Sequence, residues 1–302
     1  MASMSLYVPL PDQEVGILSY KPILDELDIT ITSIKNTSAY AFPVSNRGTS
    51  YCGDHPKYMS LESLNTLTYK SELHKTGILT IPTEIVQEIG DTSLYFFKPN
   101  SIFSNELVRR PRVASPIAQY EVTFSVNEFN EIYVFNTSRH IFNNADTSGA
   151  CVQTSENSVE SIYMIDQVRQ AVIRLNVRGG IHNVQFIYYN NELVLIDWNA
   201  RPPTVLTEGF AAYNHPNIIS TVRHALGLPI LPREPMSVIF RDYSDNPIPV
   251  SKRDLIVSFG LLPRKVWGKG IDYPFIRVSG LGSSDEELNS RFDQMELAVF
   301  SN

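Results

Sequence analysis

Apolar positions along the chain change period several times, and the changes predict its elements. Ser60 followed by Leu61, Leu64, Leu67 and Leu73 reads as a capped helix with an apolar stripe, stopping near Gly77. Ile78–Pro82 predicts a strand, and Leu94–Phe97 a second one closing on Lys98-Pro99. Glu121–Val126 and Ile132–Phe135 alternate, with a turn predicted at Asn127–Asn130. Residues 140–155 are polar and predict a loop. From about Ser158 to Leu175, Ile162, Ile165, Val168, Val172 and Leu175 share one helical face. Val184–Tyr189 and Leu193–Ile196 flank Asn190-Asn191-Glu192, a second hairpin. Residues 216–226 read as helix ending at Gly227. Beyond them come β-rich segments such as Ser237–Phe240 and Ile276–Val278. A last helix opens at Ser284-Asp285-Glu286-Glu287, whose acidic first turn suits the helix dipole. Residues 5–60 mix short apolar runs with polar turns and predict a small α/β or loop-rich cap.

Composition narrows the class. With 302 residues, 43% apolar and 19% charged, the chain can bury a sizeable core, which excludes disorder. No stretch approaches the roughly 20 apolar residues of a membrane helix, so no membrane partner is expected. The N-terminus shows no basic region followed by a long apolar run, so no signal peptide is expected. Cys52 and Cys151 are too few for a disulfide framework or a zinc cage, and a cytoplasmic location is expected. A net charge of −7 disfavours nucleic acid as a partner, although a local basic groove for phosphates stays open.

The candidate chemistry sits on the second hairpin. Gln185 lies on one strand, and Asp197 and Asn199 lie two apart on the other, so three oxygen donors converge on one side. Hard oxygen donors, one of them charged, suit Mg2+ or Mn2+ rather than zinc. Arg201, two residues further on, offers a fixed fork of donors for phosphate oxygens. Metal and arginine together at a strand end suit phosphoryl transfer. Taken alone, Asp197-Trp198-Asn199 reads first as a strand ending in an Asx-type turn, and it is the order of pieces around it that shifts the reading.

The order of pieces around the hairpin resembles the ATP-grasp superfamily, most closely the halves of the carbamoyl-phosphate synthetase large subunit and related carboxylate–amine ligases. Gly179-Gly180-Ile181-His182-Asn183-Val184-Gln185-Phe186 and Leu195-Ile196-Asp197-Trp198-Asn199-Ala200-Arg201 are similar to the paired strands of that family. Lys70 with Gly77–Pro82, Phe96-Phe97-Lys98-Pro99, Ala114–Ile117, Glu121–Val126 and Asp146–Thr154 follow the family's order of helix, phosphate strand, adenine hinge, next strand and substrate loop. The resemblance implies an α+β ATP-grasp fold, two α/β lobes clamping the nucleotide, with a short N-terminal lobe over 1–60. The small lobe would span 61–118, the central lobe with the metal site 119–230, and a C-terminal β-rich subdomain 231–302. It implies nucleotide contacts from Lys70, Lys98, Ser115, Ile117, Glu121 and Asn199, and a metal held by Gln185, Asp197 and Asn199. Lys98 and Arg201 would offset charge during transfer.

The implied activity is ATP-dependent activation of a carboxylate as an acyl phosphate, then attack by an amine to give an amide and ADP. Small-molecule carboxylate and amine are the implied partners, and a homo-oligomer stays open. A ligase acting on bicarbonate is a second reading. A nucleotide-binding pseudoenzyme or regulatory module is a third, because the chain departs from the family. Asp197 stands where Glu is usual and Ala200 where Pro is usual. Asn100–Asn105 lacks the glycines that wrap phosphate, and the hinge lacks an acidic residue. The expectation for Asn100–Asn105 is a mobile lid that offers side-chain donors instead. Bland readings stand beside these: Lys98 and Lys70 as ordinary lysines, Glu121 as a surface glutamate, His182 and His140 as polar fillers. Arg109, Arg110 and Arg112 read either as a cover over phosphates or as a solvated cluster, and Trp198 as packing between lobes.

Overall fold

The computed structural model describes residues 4–9, 20–60, 62–101, 104–113, 118–144, 147–153, 157–203, 215–243, 247–267 and 274–301. They divide into two compact units. The first comprises residues 1–113, 121–136 and 156–232; the second comprises 114–120, 137–155 and 233–302.

The first unit opens with a parallel sheet. β1 (Met4–Tyr7) lies between β2 (Ile29–Thr32) and β3 (Tyr40–Ala41). A parallel pair needs a crossover, and the helix Lys21–Glu26 lies in the connection between β1 and β2. The helix Asn46–Cys52 follows, capped by Ser45, which accepts from Gly48 N at 2.9 Å. The cap over 5–60 is therefore α/β rather than loop-rich.

The helix expected from Ser60 begins later, at Thr66, and runs to His74, because residues 62–64 form a separate tight turn and Asn65 provides the cap. Ile78–Pro82 makes no strand of its own. It lies along one residue instead: Leu195 N donates to Leu79 O and Ile81 N donates to Leu195 O. Pro82 has no N–H with which to extend a ladder. β4 (Glu84–Val86), β5 (Tyr95–Pro99) and β6 (Leu107–Pro111) form an antiparallel sheet in the order β4-β6-β5.

β7 (Ala118–Val126) and β8 (Ile132–Asn144) form the first predicted hairpin. The polar stretch 140–155 is not a loop: β8 continues into it and pairs with β9 (Thr147–Gln153). Backbone ladders do not require apolar side chains, so hydropathy hid these strands. After the helix Val159–Arg174 come β10 (Gly180–Tyr189) and β11 (Glu192–Asn199). The first unit carries the order β11-β10-β7-β8 and ends with the helix Pro216–Ala225.

Gly179 and Gly180 are fixed by packing. Their φ values are +151° and +92°. A Cβ on Gly179 would lie 2.5 Å from the Lys57 carbonyl oxygen, and one on Gly180 2.6 Å from the Tyr58 ring. Behind them His182, fully buried, stacks between Tyr58 and Phe124.

In the second unit the residues of β8 from 137 onward, β9, β12 (Ser237–Tyr243), β14 (Pro274–Gly282) and β13 (Leu262–Trp267) lie in that order. The helices Arg253–Ser258 and Asp285–Phe300 close over Ile239, Leu261, Val278, Leu288, Phe292 and Met295. The last helix starts as its acidic turn predicts, with Ser284 accepting from Glu287 N. Among the described residues no helix is long and apolar enough to cross a membrane.

Candidate active site

The site is built on the β10–β11 hairpin of the first unit. Gln185 pairs directly with Asp197, and Asn183 with Asn199, so all four side chains share one face. Beyond Gln185 the register shifts. Phe186 pairs with Leu195, which makes Ile196 the extra residue of a bulge beside Asp197. Glu121, on β7, completes the face from the next strand. Its carboxylate accepts from Gln185 Nε2 at 2.7 Å and from Asn183 Nδ2 at 3.0 Å. Asn199 Nδ2 lies 3.5 Å from Asn183 Oδ1. These bonds occupy the amide nitrogens of Gln185 and Asn199 and leave their carbonyl oxygens as the atoms able to meet a cation. One carboxylate and two amide oxygens on one face form a hard-donor set that fits Mg2+ beside phosphate oxygens.

The small sheet faces this hairpin with cations. Lys98 Nζ donates to Asp197 Oδ1 at 2.6 Å, and both side chains are half-buried. Lys70 is 4% exposed and donates to Thr83 Oγ1 at 2.7 Å; Thr83 passes a bond to Ile81 O at 3.0 Å. Arg110 stacks its guanidinium over Phe96, 4.7 Å from the ring centre. Burial alone would raise the Asp197 pKa, but Lys98, Arg110 and Lys70 overcome it and hold the carboxyl at about 2. Lys70 answers in the other direction: burial, then repulsion from Lys98 and Arg110, bring it down to about 7. Burial and the nearby Asp197 raise Tyr69, whose hydroxyl is 3.4 Å from Asp197 Oδ1. A cavity of about 280 Å³ opens here, lined by Thr49, Tyr69, Lys98, Asn100, Asp197 and Asn199 among others.

Arg201 donates to the Pro202 carbonyl at 3.0 Å; among the charges that act on it are Asp197 and Glu121. Ser115 and Ile117 lie outside the described residues. Lys98 reaches Asp197, a pairing across 99 positions that no local pattern announces. Asn183 and Tyr69 carry weight that sequence reasoning did not give them, and of the three arginines at 109, 110 and 112 it is Arg110 that acts on Asp197. Asn183 sits two residues before Gln185, so strand period alone could have found it.

His182 is a structural residue. Trp198 Nε1 donates to its Nδ1 at 3.3 Å, and its Nε2 bonds the Gly179 carbonyl at 2.7 Å, which fixes a neutral ring. Burial lowers its pKa to about 4. Trp198 packs edge-on against Phe124 and His182 within the first unit.

The glycine-poor segment also departs from expectation. Asn100 is 2% exposed, and its side chain is not turned outward as a donor. Its Oδ1 accepts from Leu67 N at 3.1 Å and its carbonyl from Thr66 N at 2.8 Å. Asn65 takes Thr68 N at 3.0 Å, so the first three N–H groups of the helix Thr66–His74 are satisfied. Asn100 also binds Glu106 twice, N to O at 2.8 Å and Nδ2 to Oε2 at 3.1 Å.

No protein-family model matches the sequence, and no curated protein sequence matches it significantly. Solved structures do match over nearly the whole chain. N5-carboxyaminoimidazole synthase from Aspergillus clavatus, in complex with ADP and 5-aminoimidazole ribonucleotide, is 10% identical, with a TM-score of 0.65 and 99% of each chain covered. N5-carboxyaminoimidazole ribonucleotide synthetase from Thermotoga maritima is 12% identical, with a TM-score of 0.63 and 98% of each chain covered. The enzyme of that name from Thermus thermophilus is 10% identical, with a TM-score of 0.63, covering 99% of this chain and 98% of its own. Such identity speaks for shape alone, and the shape is an α+β ATP-grasp fold.

Proposed function

We propose that the chain is an ATP-dependent ligase that activates a carboxylate as an acyl phosphate for attack by an amine, releasing ADP and phosphate. The observation that carries this reading is the Lys98–Asp197 pair, which lines a cavity together with Asn199 on the face of oxygen donors. In this reading residues 61–118 serve as the small lobe, 119–230 as the central lobe and 231–302 as the C-terminal subdomain. Asp197, Asn199 and Gln185 would hold Mg2+ or Mn2+, and a metal bound there would offset charge on the terminal phosphates of ATP. Lys98 leaves Asp197 for the phosphates as the nucleotide enters. Lys70 adds a second cation, Glu121 orients Gln185 and Asn183, and Arg201 offsets charge at the transferred group. The amine attacks in its neutral form, so no general base is assigned.

The structural neighbours suggest where to look for substrates. One of them holds an aminoimidazole ribonucleotide, and their names describe an N-carboxylation, which supports bicarbonate as a carboxylate to try first. Two cysteines in the whole chain suit a reaction in the cytoplasm. ADP release should be measured with ATP alone, with bicarbonate or another acid, and with acid plus amine. Stimulation that needs both substrates supports the ligase. A second reading, a nucleotide-binding module without turnover, is favoured by the hydrogen-bonded segment 100–106; nucleotide binding that no acid–amine pair converts into ADP would establish it.

A further inference from the structure

In the segment 100–106, Asn100 and Glu106 have their polar groups engaged within the small lobe. Asn100 N and Nδ2 go to Glu106, Glu106 N goes to Ser104 Oγ, and Asn100 O and Oδ1 hold the helix Thr66–His74. None of these groups is left to wrap a phosphate, and the segment contains no glycine to turn other N–H groups inward. The small sheet, by contrast, has cation to spare. Phe96 pairs with Arg110 and Lys98 with Val108, so Lys98 and Arg110 lie on one face of β5–β6, one pair apart. Lys98 is matched by Asp197 and Lys70 by the Thr83 hydroxyl. The Arg110 guanidinium rests on the Phe96 ring, and its Nε is buried without a hydrogen-bond partner. A buried guanidinium donor left unbonded is costly, and a planar fork anchored over an aromatic ring is preorganised for an oxyanion.

We propose that Arg110 is a phosphate-binding residue of this site, the cation that replaces the backbone donors withdrawn into the segment 100–106. The inference rests on the nucleotide reading above and adds to it a polyphosphate grip made by side chains, with Lys98, Lys70 and Arg110 as its arms. Arg109 and Arg112 do not share the role. Arg109 is paired with Glu84 at 2.6 Å and Arg112 bonds the Tyr95 carbonyl at 3.3 Å.

Calorimetry on the full chain with inorganic tripolyphosphate, a non-hydrolysable ATP analogue and AMP tests it. Arg110→Gln should weaken tripolyphosphate and the ATP analogue by on the order of 10- to 100-fold, leave AMP within about two-fold, and keep the parent's melting temperature. Arg110→Lys should recover part of the loss, since it keeps charge but not the fork. If the parent binds tripolyphosphate in an Arg110-dependent way but does not bind the ATP analogue, the polyphosphate grip stands and the ligase reading falls. If Arg110→Gln binds tripolyphosphate as the parent does, or weakens AMP equally, Arg110 is a structural residue and the proposal is overturned. A parent that binds none of the three probes overturns both.

Discussion

Two aspartates, one in each unit, Asp242 buried and Asp197 half-buried, meet arginine or lysine in different ways. Asp242 on β12 has a side chain 1% exposed and is held by Arg277, whose Nη2 donates at 2.8 Å while its Nε takes the other oxygen. The Arg277 guanidinium also covers Phe240 at 4.3 Å. Charge is balanced there one to one. Burial raises the Asp242 pKa, and Arg277 only partly offsets it. Asp197 is drawn in the opposite direction, to about 2, because Lys98, Arg110 and Lys70 all act on it. A matched pair is a structural device, whereas one carboxylate among three cations leaves positive charge for an anion to neutralise.

The largest effect should come from breaking the matched pair. Asp242→Ala should cost about 3–5 kcal/mol in chemical denaturation, because Arg277 is left buried and unpaired, while nucleotide binding stays unchanged. Asp197→Ala should do the reverse: ADP release falls by roughly 100-fold or more in a chain that still folds. Equal stability losses in the two variants would erase the distinction. Lys98→Ala should weaken an ATP analogue by about 1.5–3 kcal/mol in calorimetry, the range for hydrogen bonds to charged groups. An unchanged affinity would leave Lys98 as no more than the partner of Asp197.

Smaller signals come from protons. A polyanion beside Lys70 favours its charged form and raises its pKa from about 7. At about pH 8 nucleotide binding should therefore take up as much as one proton, read as a dependence of the binding heat on buffer ionisation, and Lys70→Met should abolish it. Carboxyl carbon titration should show Asp242 above the ordinary range and Asp197 near 2. The sign of their linkage differs accordingly. Asp197 adds stability that is present above its ordinary unfolded pKa and is lost as pH falls toward about 2, whereas Asp242 is relieved as it gains its proton.

What could be read in the sequence follows from the range of the interactions. The hairpin of Gln185, Asp197 and Asn199 is legible because strand period places residues two apart on one face. The helices over 159–174, 216–225 and 285–300 are legible from caps and apolar stripes. Arg110 is not, since three arginines crowd residues 109–112 and only the pairing of β6 with β5 selects which one lies over Phe96. Asn100 is not, because a polar residue in a glycine-poor segment looks solvated until the helix it bonds is brought to it. The Lys98–Asp197 pair belongs to the tertiary structure alone.

The glycine pair at 179–180 sets a different kind of limit, on which neighbouring sequences remain reachable by mutation. At position 180 the obstacle is the Tyr58 ring, so a smaller residue at 58 opens room, and the two positions can change together. The φ of +92° still taxes any side chain there, which makes such double changes infrequent rather than forbidden. At position 179 the obstacle is the Lys57 carbonyl, which every amino acid at 57 carries. No partner substitution can clear it. Selection on a library should therefore return paired variation between 58 and 180, and glycine alone at 179.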